Sequence, residues 1–308
     1  MSIRSEEEEE ILAYACYKIL SKYGDGPTHK MDSLWFNKMI AMLDHELQDE
    51  VKLILKTPIC WYYYGEEVVP TEMPSCVRFE SRQASDDDVS SFWWVGERPR
   101  PDSRKKSKID AKVDSLFSRF PPTMDIYEVV AKDYDYAPFE FQRKYKEFRS
   151  DSLILSDVDP DGRLRSKILY GPGIRSAFSD FPFKEFPVLK VAAAQVEILT
   201  AAIFKKLPME NKKGINMARS FWEMFCKLLR IYSDEGHKGY RYVSNQKLEF
   251  WKKVAEDTLR QYIVDLQEKI NTIMRLLPED AIEDPMERMF LQPLEFASSE
   301  NIDKTLYS

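Results

Sequence analysis

Some residues in this chain have the types and spacing that chemistry requires. Asp157-Val158-Asp159-Pro160-Asp161-Gly162 alternates carboxylates ahead of a glycine, as a calcium loop does at its start. The twelfth position of such a loop supplies a bidentate Glu; here it is Ile168, and Pro160 stiffens a turn that must wrap the ion. The stretch therefore reads as an Asp-rich hairpin turn, with cation binding as the alternative. His45 lies between Asp44 and Glu46, but neighbours along a helix do not face each other, so a surface histidine is expected and no acid–base pair. His29 follows a Gly-Pro turn and has no evident partner. Cys16, Cys60, Cys76 and Cys226 make no CxxC pair, and with the histidines they complete no zinc set, so reduced thiols and no metal are expected. GxSxG, P-loop, HExxH and strand-borne GxGxxG patterns are all missing, which lowers the expectation of an enzyme and implies no cofactor.

Two stretches are basic enough to meet phosphate. Residues 98–108 carry Arg98, Arg100, Arg104, Lys105, Lys106 and Lys108 against one Asp, with two prolines. That composition predicts an extended, solvated linker, or a duplex-DNA contact as the alternative. On a helix over 139–149, Phe141, Tyr145 and Phe148 share one face, with Arg143, Lys144, Lys146 and Arg149 around them. Such a helix either buries its aromatics in a core or stacks them on bases. The aromatic run Trp61-Tyr62-Tyr63-Tyr64 is the candidate partner-binding element, with hairpin packing as the competing role.

Elements must hold these residues in place, and the chain has the material for them. Its 308 residues are 44% hydrophobic and 13% aromatic, enough for two cores, and a formal charge of -7 argues against wholesale coating of nucleic acid. Five consecutive glutamates near the N-terminus are unlike a signal peptide, and the most apolar run, 188–204, is interrupted by Lys190, Gln195 and Glu197. A cytoplasmic protein without a membrane span is the expectation.

The chain opens with an acidic first turn and an apolar stripe, Ile11, Leu12, Ala15, Cys16 and Ile19, ending at Tyr23-Gly24. Asp32 or Ser33 caps a second helix burying Leu34, Trp35, Met39, Leu43 and Leu47, which continues through Val51 to Leu55 or gives way to a short third helix before Pro58. A hairpin follows over 59–70, with Trp61 and Tyr63 on one face, Tyr62 and Tyr64 on the other, Gly65 at the turn and Val68-Val69 returning. Further on, helices are predicted around Val113 to Phe120, over 125–132 and from Pro138 to Arg149, with short strands at 153–155 and 168–170. The last third carries helical seams: Leu189, Ala192, Val196, Leu199, Ile203; Ile215, Ala218, Trp222, Phe225, Leu229, Tyr232; and Leu248 to Leu277 with an eleven-residue repeat. The fold class is mainly α with short β hairpins: a winged-helix-like N-terminal module (1–97), a basic linker (98–110), a mixed α/β segment (111–187), a C-terminal antiparallel helical bundle (188–279) and an irregular tail (280–308).

Tyr23-Gly24, Asn37-Lys38 and the run from Trp61 to Val69 resemble, in their order, the start of uncharacterised archaeal proteins with a winged-helix-like N-terminal region, and are remotely similar to the Panacea antitoxin domain. Where Panacea proteins show Gly-Pro-Val, this chain has Gly65-Glu66-Glu67-Val68. The likeness implies an intracellular regulatory protein that docks a protein partner, such as a toxin, and no catalytic residues. Arg230 and His237, with six residues between them, resemble the Arg-to-His spacing of the helical HEPN ribonucleases, although Ile231 stands where those proteins carry a polar residue. That likeness would require both groups to converge on a scissile phosphate; otherwise His237 is a helix-terminal histidine. The expectation is a partner-binding regulatory protein, antitoxin-like, with a DNA-binding transcriptional regulator and a helical ribonuclease as alternatives, and with self-association through the C-terminal helices.

Overall fold

The computed structural model describes residues 4–26, 29–83, 88–158 and 171–291, apart from the side chains of 82–83, 88–89, 150–158 and 208. The chain is mainly helical and, among the described residues, has two small antiparallel sheets. It divides into two compact units, Met1–Tyr136 with Leu229–Phe250, and Ala137–Leu228 with Trp251–Ser308.

In the first unit, α1 (Glu6–Tyr23) starts on a capping box: the Glu8 amide donates to Ser5 Oγ and the Ser5 amide to the Glu8 carboxylate. A two-residue strand β1 (Met31–Asp32) leads into α2 (Ser33–Val51), whose first amides donate to the Asp32 carboxylate. The helix stops at Val51 because Lys52 turns left-handed (φ 54°), so the expected continuation to Leu55 is not made. Strands β2 (Ile59–Tyr62) and β3 (Gly65–Val68) form the aromatic hairpin, and β4 (Val77–Gln83) pairs with β5 (Asp88–Trp94). Sheet order is β1-β5-β4 in one sheet and β3-β2-β6 in the other, where β6 (Tyr240–Arg241) comes from the late excursion 229–250.

The basic stretch is not extended. Helix α3 (Ser103–Arg119) begins inside it, capped by Asp102, which accepts from the Arg104 and Lys105 amides. Ile109, Val113 and Leu116 are buried where α3 packs on α1 and α2, and that apolar seam overrides the charge of the first turns. Asp125 caps α4 (Ile126–Asp133).

The second unit opens with α5 (Glu140–Val158), which runs through 153–155, where a strand was expected; the companion strand 168–170 lies outside the described residues. Phe141, Tyr145 and Phe148 are buried, and the Phe141 ring packs against Phe178, Phe181 and Phe225. Tyr145 stacks on Trp222 with ring centroids 4.6 Å apart and planes 5° from parallel. No strand occurs among the described residues of 111–187, so the mixed α/β middle segment is helical there.

After α6 (Gly171–Ser179), α7 (Lys190–Lys206) and α8 (Asn211–Leu229) bury most of their expected seams, but α8 ends at Leu229, leaving Tyr232 outside it. The 30-residue α9 (Asn245–Met274) buries Leu248, Trp251, Ala255, Leu259, Tyr262, Leu266, Ile270 and Ile273. A short α10 (Pro285–Phe290), capped by Asp284, breaks the expected irregular tail, and 292–308 lie outside the described residues. Pro187–Lys206 is long and apolar enough to cross a membrane by composition, yet 67% of that window is buried inside the protein.

Candidate functional site

A buried polar cluster in the first unit gathers side chains that sequence spacing keeps far apart. Helix α2 contributes Asn37, Lys38, Asp44 and His45, strand β3 Glu66 and Glu67, the end of α4 Asp133, and β6 Arg241. Lys38 and Asp133 have no exposed surface, and Lys38 Nζ lies 3.0 Å from Asp133 Oδ2. The ammonium also donates to the Glu66 carbonyl (2.7 Å), and the Glu66 amide donates to Asp133 Oδ2 (2.8 Å). The Val68 amide donates to Asn37 Oδ1 (3.2 Å). Helix and hairpin are thus joined by hydrogen bonds that satisfy buried charge.

On the other side of β3, Glu66 Oε2 lies 2.7 Å from His45 Nε2, and Arg241 Nη2 donates to Glu66 Oε1 (3.1 Å). Arg241 Nη1 lies 3.2 Å from His45 Nδ1. An ionised carboxylate only accepts, so Nε2 is the donor toward Glu66, and Arg241 Nη2 lies 3.2 Å from that same nitrogen, which sets the guanidinium against both ring nitrogens. Both imidazole nitrogens are engaged, so His45 links Glu66 and Arg241. The expected surface histidine is therefore an inward-facing one, and its carboxylate partner is Glu66 across the fold rather than Asp44 or Glu46 beside it in sequence. The ring also stacks on Tyr136, centroids 3.9 Å apart and planes 4° from parallel.

Charge in the cluster is unbalanced. Asp44, Glu66, Glu67 and Asp133 bring four carboxyl groups, and Lys38 and Arg241 two cations. Burial would raise Glu66, but the Arg241 guanidinium and the His45 hydrogen bond outweigh it and hold the carboxyl below its ordinary value. Burial pushes Asp133 up to about 6, against the pull of Lys38, and Glu67 up to about 7. Glu67 is half-buried, with part of its surface exposed. Burial also raises Asp44, against the pull of the Arg241 guanidinium, whose Nη2 lies 3.4 Å away.

The aromatic hairpin stands on this cluster. Register is Ile59 with Val68, Cys60 with Glu67, Trp61 with Glu66 and Tyr62 with Gly65, so the turn is Tyr63-Tyr64 and Gly65 opens the returning strand instead of making the turn. Gly65 has φ +98°, and a Cβ there would lie 2.0 Å from Asp133 Oδ2. Only glycine combines that left-handed backbone with such a close approach. Trp61 is core, edge-on to Tyr134, while Tyr62 and Tyr63 stack at 3.9 Å instead of pointing to opposite faces. Arg230 lies 5.2 Å over the Tyr62 ring. Tyr64 at the turn and Tyr136 on the His45 ring are each 38% exposed.

The other expected site residues lie apart from this cluster. Arg98 donates to Tyr14 Oη and lies over the Tyr14 and Tyr17 rings. Lys105 pairs with Glu7, and Lys108 donates to the Val51 carbonyl. Arg100 and Arg104 are exposed, Lys106 half-buried. Arg143 pairs with Glu140 (2.8 Å) and Lys144 with Asp180. Arg230 packs on Tyr62, whereas His237 sits in a turn where Asp234 accepts its amide, outside any helix. Asp157 falls on α5, and Asp159 and Asp161 lie outside the described residues. Among the described residues no group of His, Cys, Asp and Glu is arranged to hold a metal ion.

No protein-family model, no curated protein and no solved structure matches the chain.

Proposed function

We propose that this chain is an intracellular, cytoplasmic regulatory protein, antitoxin-like, that binds a protein partner through the tyrosine face of the β2–β3 hairpin. The observation that carries this reading is the exposure of Tyr64 and Tyr136 on a base that cannot easily shift. Gly65 is wedged against Asp133, and His45 is held by Glu66 and Arg241 beneath Tyr136. Rigid aromatic side chains lose little entropy on docking, and aromatics are enriched at interface centres. Acid–base catalysis by His45 is a poorer reading, because neither imidazole nitrogen is left to meet a substrate.

In this reading the first unit is winged-helix-like, with β4–β5 in the place of the wing, since the order β1-β5-β4 follows α1, β1 and α2. The aromatic hairpin is then an addition to the module and not its wing. Helices α7, α8 and α9 form the proposed C-terminal antiparallel bundle. Duplex DNA fits less well: α2 is buried from Phe36 to Leu47 apart from His45, and Arg98, Lys105 and Lys108 are committed within the chain.

A photo-crosslinking amino acid placed at Tyr64, and as a control at the exposed Met209 of the second unit, tests the proposal in cells expressing the full chain. A discrete protein adduct from position 64 alone is expected. Equal or absent adducts at the two positions overturn the reading.

A further inference from the structure

Strand β4 is the last strand of its sheet, and among the described residues no strand lies along its outer edge. Exposed edges are templates for pairing, and charged side chains usually block them by setting like charges opposite each other. Here the charge pattern has the opposite effect. Arg78 and Glu80 lie on one face of β4 and flank Phe79, which lies on the other with the buried Val77.

Phe79 is 41% exposed, yet its ring packs on Phe92 at 4.9 Å, and Phe92 stacks on Phe36 at 4.4 Å in the core. It is the open end of a row of rings that begins inside the unit. On the opposite face Arg78 is paired across the strands with Trp93, and the Glu80 carboxylate meets Lys30 Nζ at 3.3 Å.

We propose that β4 pairs antiparallel with β4 of a second copy of this chain, about a two-fold axis at Phe79. A two-fold normal to a sheet keeps each side chain on its own face, so the register must be centred on a residue. Centring on Arg78 sets arginine against arginine, and centring on Glu80 sets glutamate against glutamate. Centring on Phe79 sets Arg78 of each copy against Glu80 of the other, twice, with Val77 against Ser81 and the two Phe79 rings covering each other. Opposite charges and an aromatic pair then stabilise a continuous six-stranded sheet from two three-stranded ones. This surface is separate from the tyrosine hairpin, and the dimer does not depend on the partner proposed for that hairpin.

Sedimentation velocity over a concentration series of the full chain is the test, with thermal melts checking that each variant is folded. Wild type is expected to shift from monomer towards dimer as concentration rises. Arg78→Glu and Glu80→Arg each set like charges opposite twice and are expected to weaken the dimer by about tenfold. The double variant Arg78→Glu/Glu80→Arg restores both opposite pairs and is expected to recover the dimer. A wild type that stays monomeric at every concentration, a dimer indifferent to the single changes, or a double variant no stronger than the singles overturns the proposal.

Discussion

Arg241 and His45 are 196 residues apart in sequence, and the Arg241 guanidinium lies with Nη1 3.2 Å from the imidazole Nδ1. The same guanidinium is 3.1 Å from Glu66 and 3.4 Å from Asp44. One cation from β6 therefore serves three groups on α2 and β3.

Removing that cation leaves Glu66 and Asp44 buried with less compensation. Arg241→Ala is expected to lower stability by about 3 kcal/mol, the scale for breaking a buried ion pair from one side. Arg219→Ala, whose ion pair with Glu223 is largely exposed, is expected to cost less than about 1 kcal/mol. Denaturant unfolding of the two variants beside wild type checks the contrast; equal losses would show that the Arg241 contacts do not stabilise the unit.

Gly65 and Gly96 have nearly the same backbone, φ +98° and +97°, but a Cβ at Gly96 would meet nothing within 4 Å. Gly96→Ala therefore reports only the strain of a left-handed alanine, about 1 kcal/mol. Gly65→Ala adds a collision with Asp133 and Lys38 and is expected to cost at least about 2 kcal/mol more. Melting temperatures of the pair measure the difference.

The helical seams were legible because periodicity is local: Leu189 to Ile203 and Leu248 to Ile273 repeat at spacings that one helix must bury. Asp32 and Asp125 announced two helix starts for the same reason. The cluster was not legible, since Lys38 with Asp133, Glu66 with Asp133 and His45 with Arg241 are 95, 67 and 196 residues apart. One signal did exist: Lys38 and Asp44 fall among Phe36, Met39, Ile40 and Leu43, where an ordinary solvated charge would not be placed. The basic run 98–108 misled because its charge outweighed the Asp102 cap and the Ile109, Val113, Leu116 seam that make most of it helical.

The surplus of buried carboxyls gives stability a definite pH dependence. Glu67 titrates at about 7 in the folded chain against an ordinary value of 4.5, so the folded state holds its proton more tightly than the unfolded one. Its contribution is fully present below about 4.5 and is lost as pH rises through about 7. Glu67→Gln removes that loss, and its stability relative to wild type is expected to rise by about 2 kcal/mol between pH 5 and pH 8. Asp133, raised to about 6, contributes a slope of the same sign at lower pH that remains in the variant. Unfolding free energies at the two pH values check the sign, and a wild type that gains stability relative to the variant on going to pH 8 would contradict the assignment.

Phe141 is the hub of the second unit's aromatic core, with no exposed surface and rings of Phe178, Phe181, Trp222 and Phe225 around it. Phe141→Ala is expected to cost about 3–5 kcal/mol through the cavity it leaves. Conservative Phe141→Leu should recover much of that loss, and near-ultraviolet circular dichroism, which senses the Tyr145–Trp222 stack, reports it directly.

The excursion that delivers Arg241 also sets an order of events at the ribosome. Lys38, Glu66 and Asp133 have all been translated by residue 133, yet the guanidinium that steadies Glu66 follows 108 positions later. At bacterial-to-eukaryotic elongation speeds that interval is roughly 5 to 20 s. A nascent chain must therefore carry an unfinished first unit through the whole synthesis of α5 to α8, so translational pausing before residue 241 prolongs the time in which chaperones or proteases meet it.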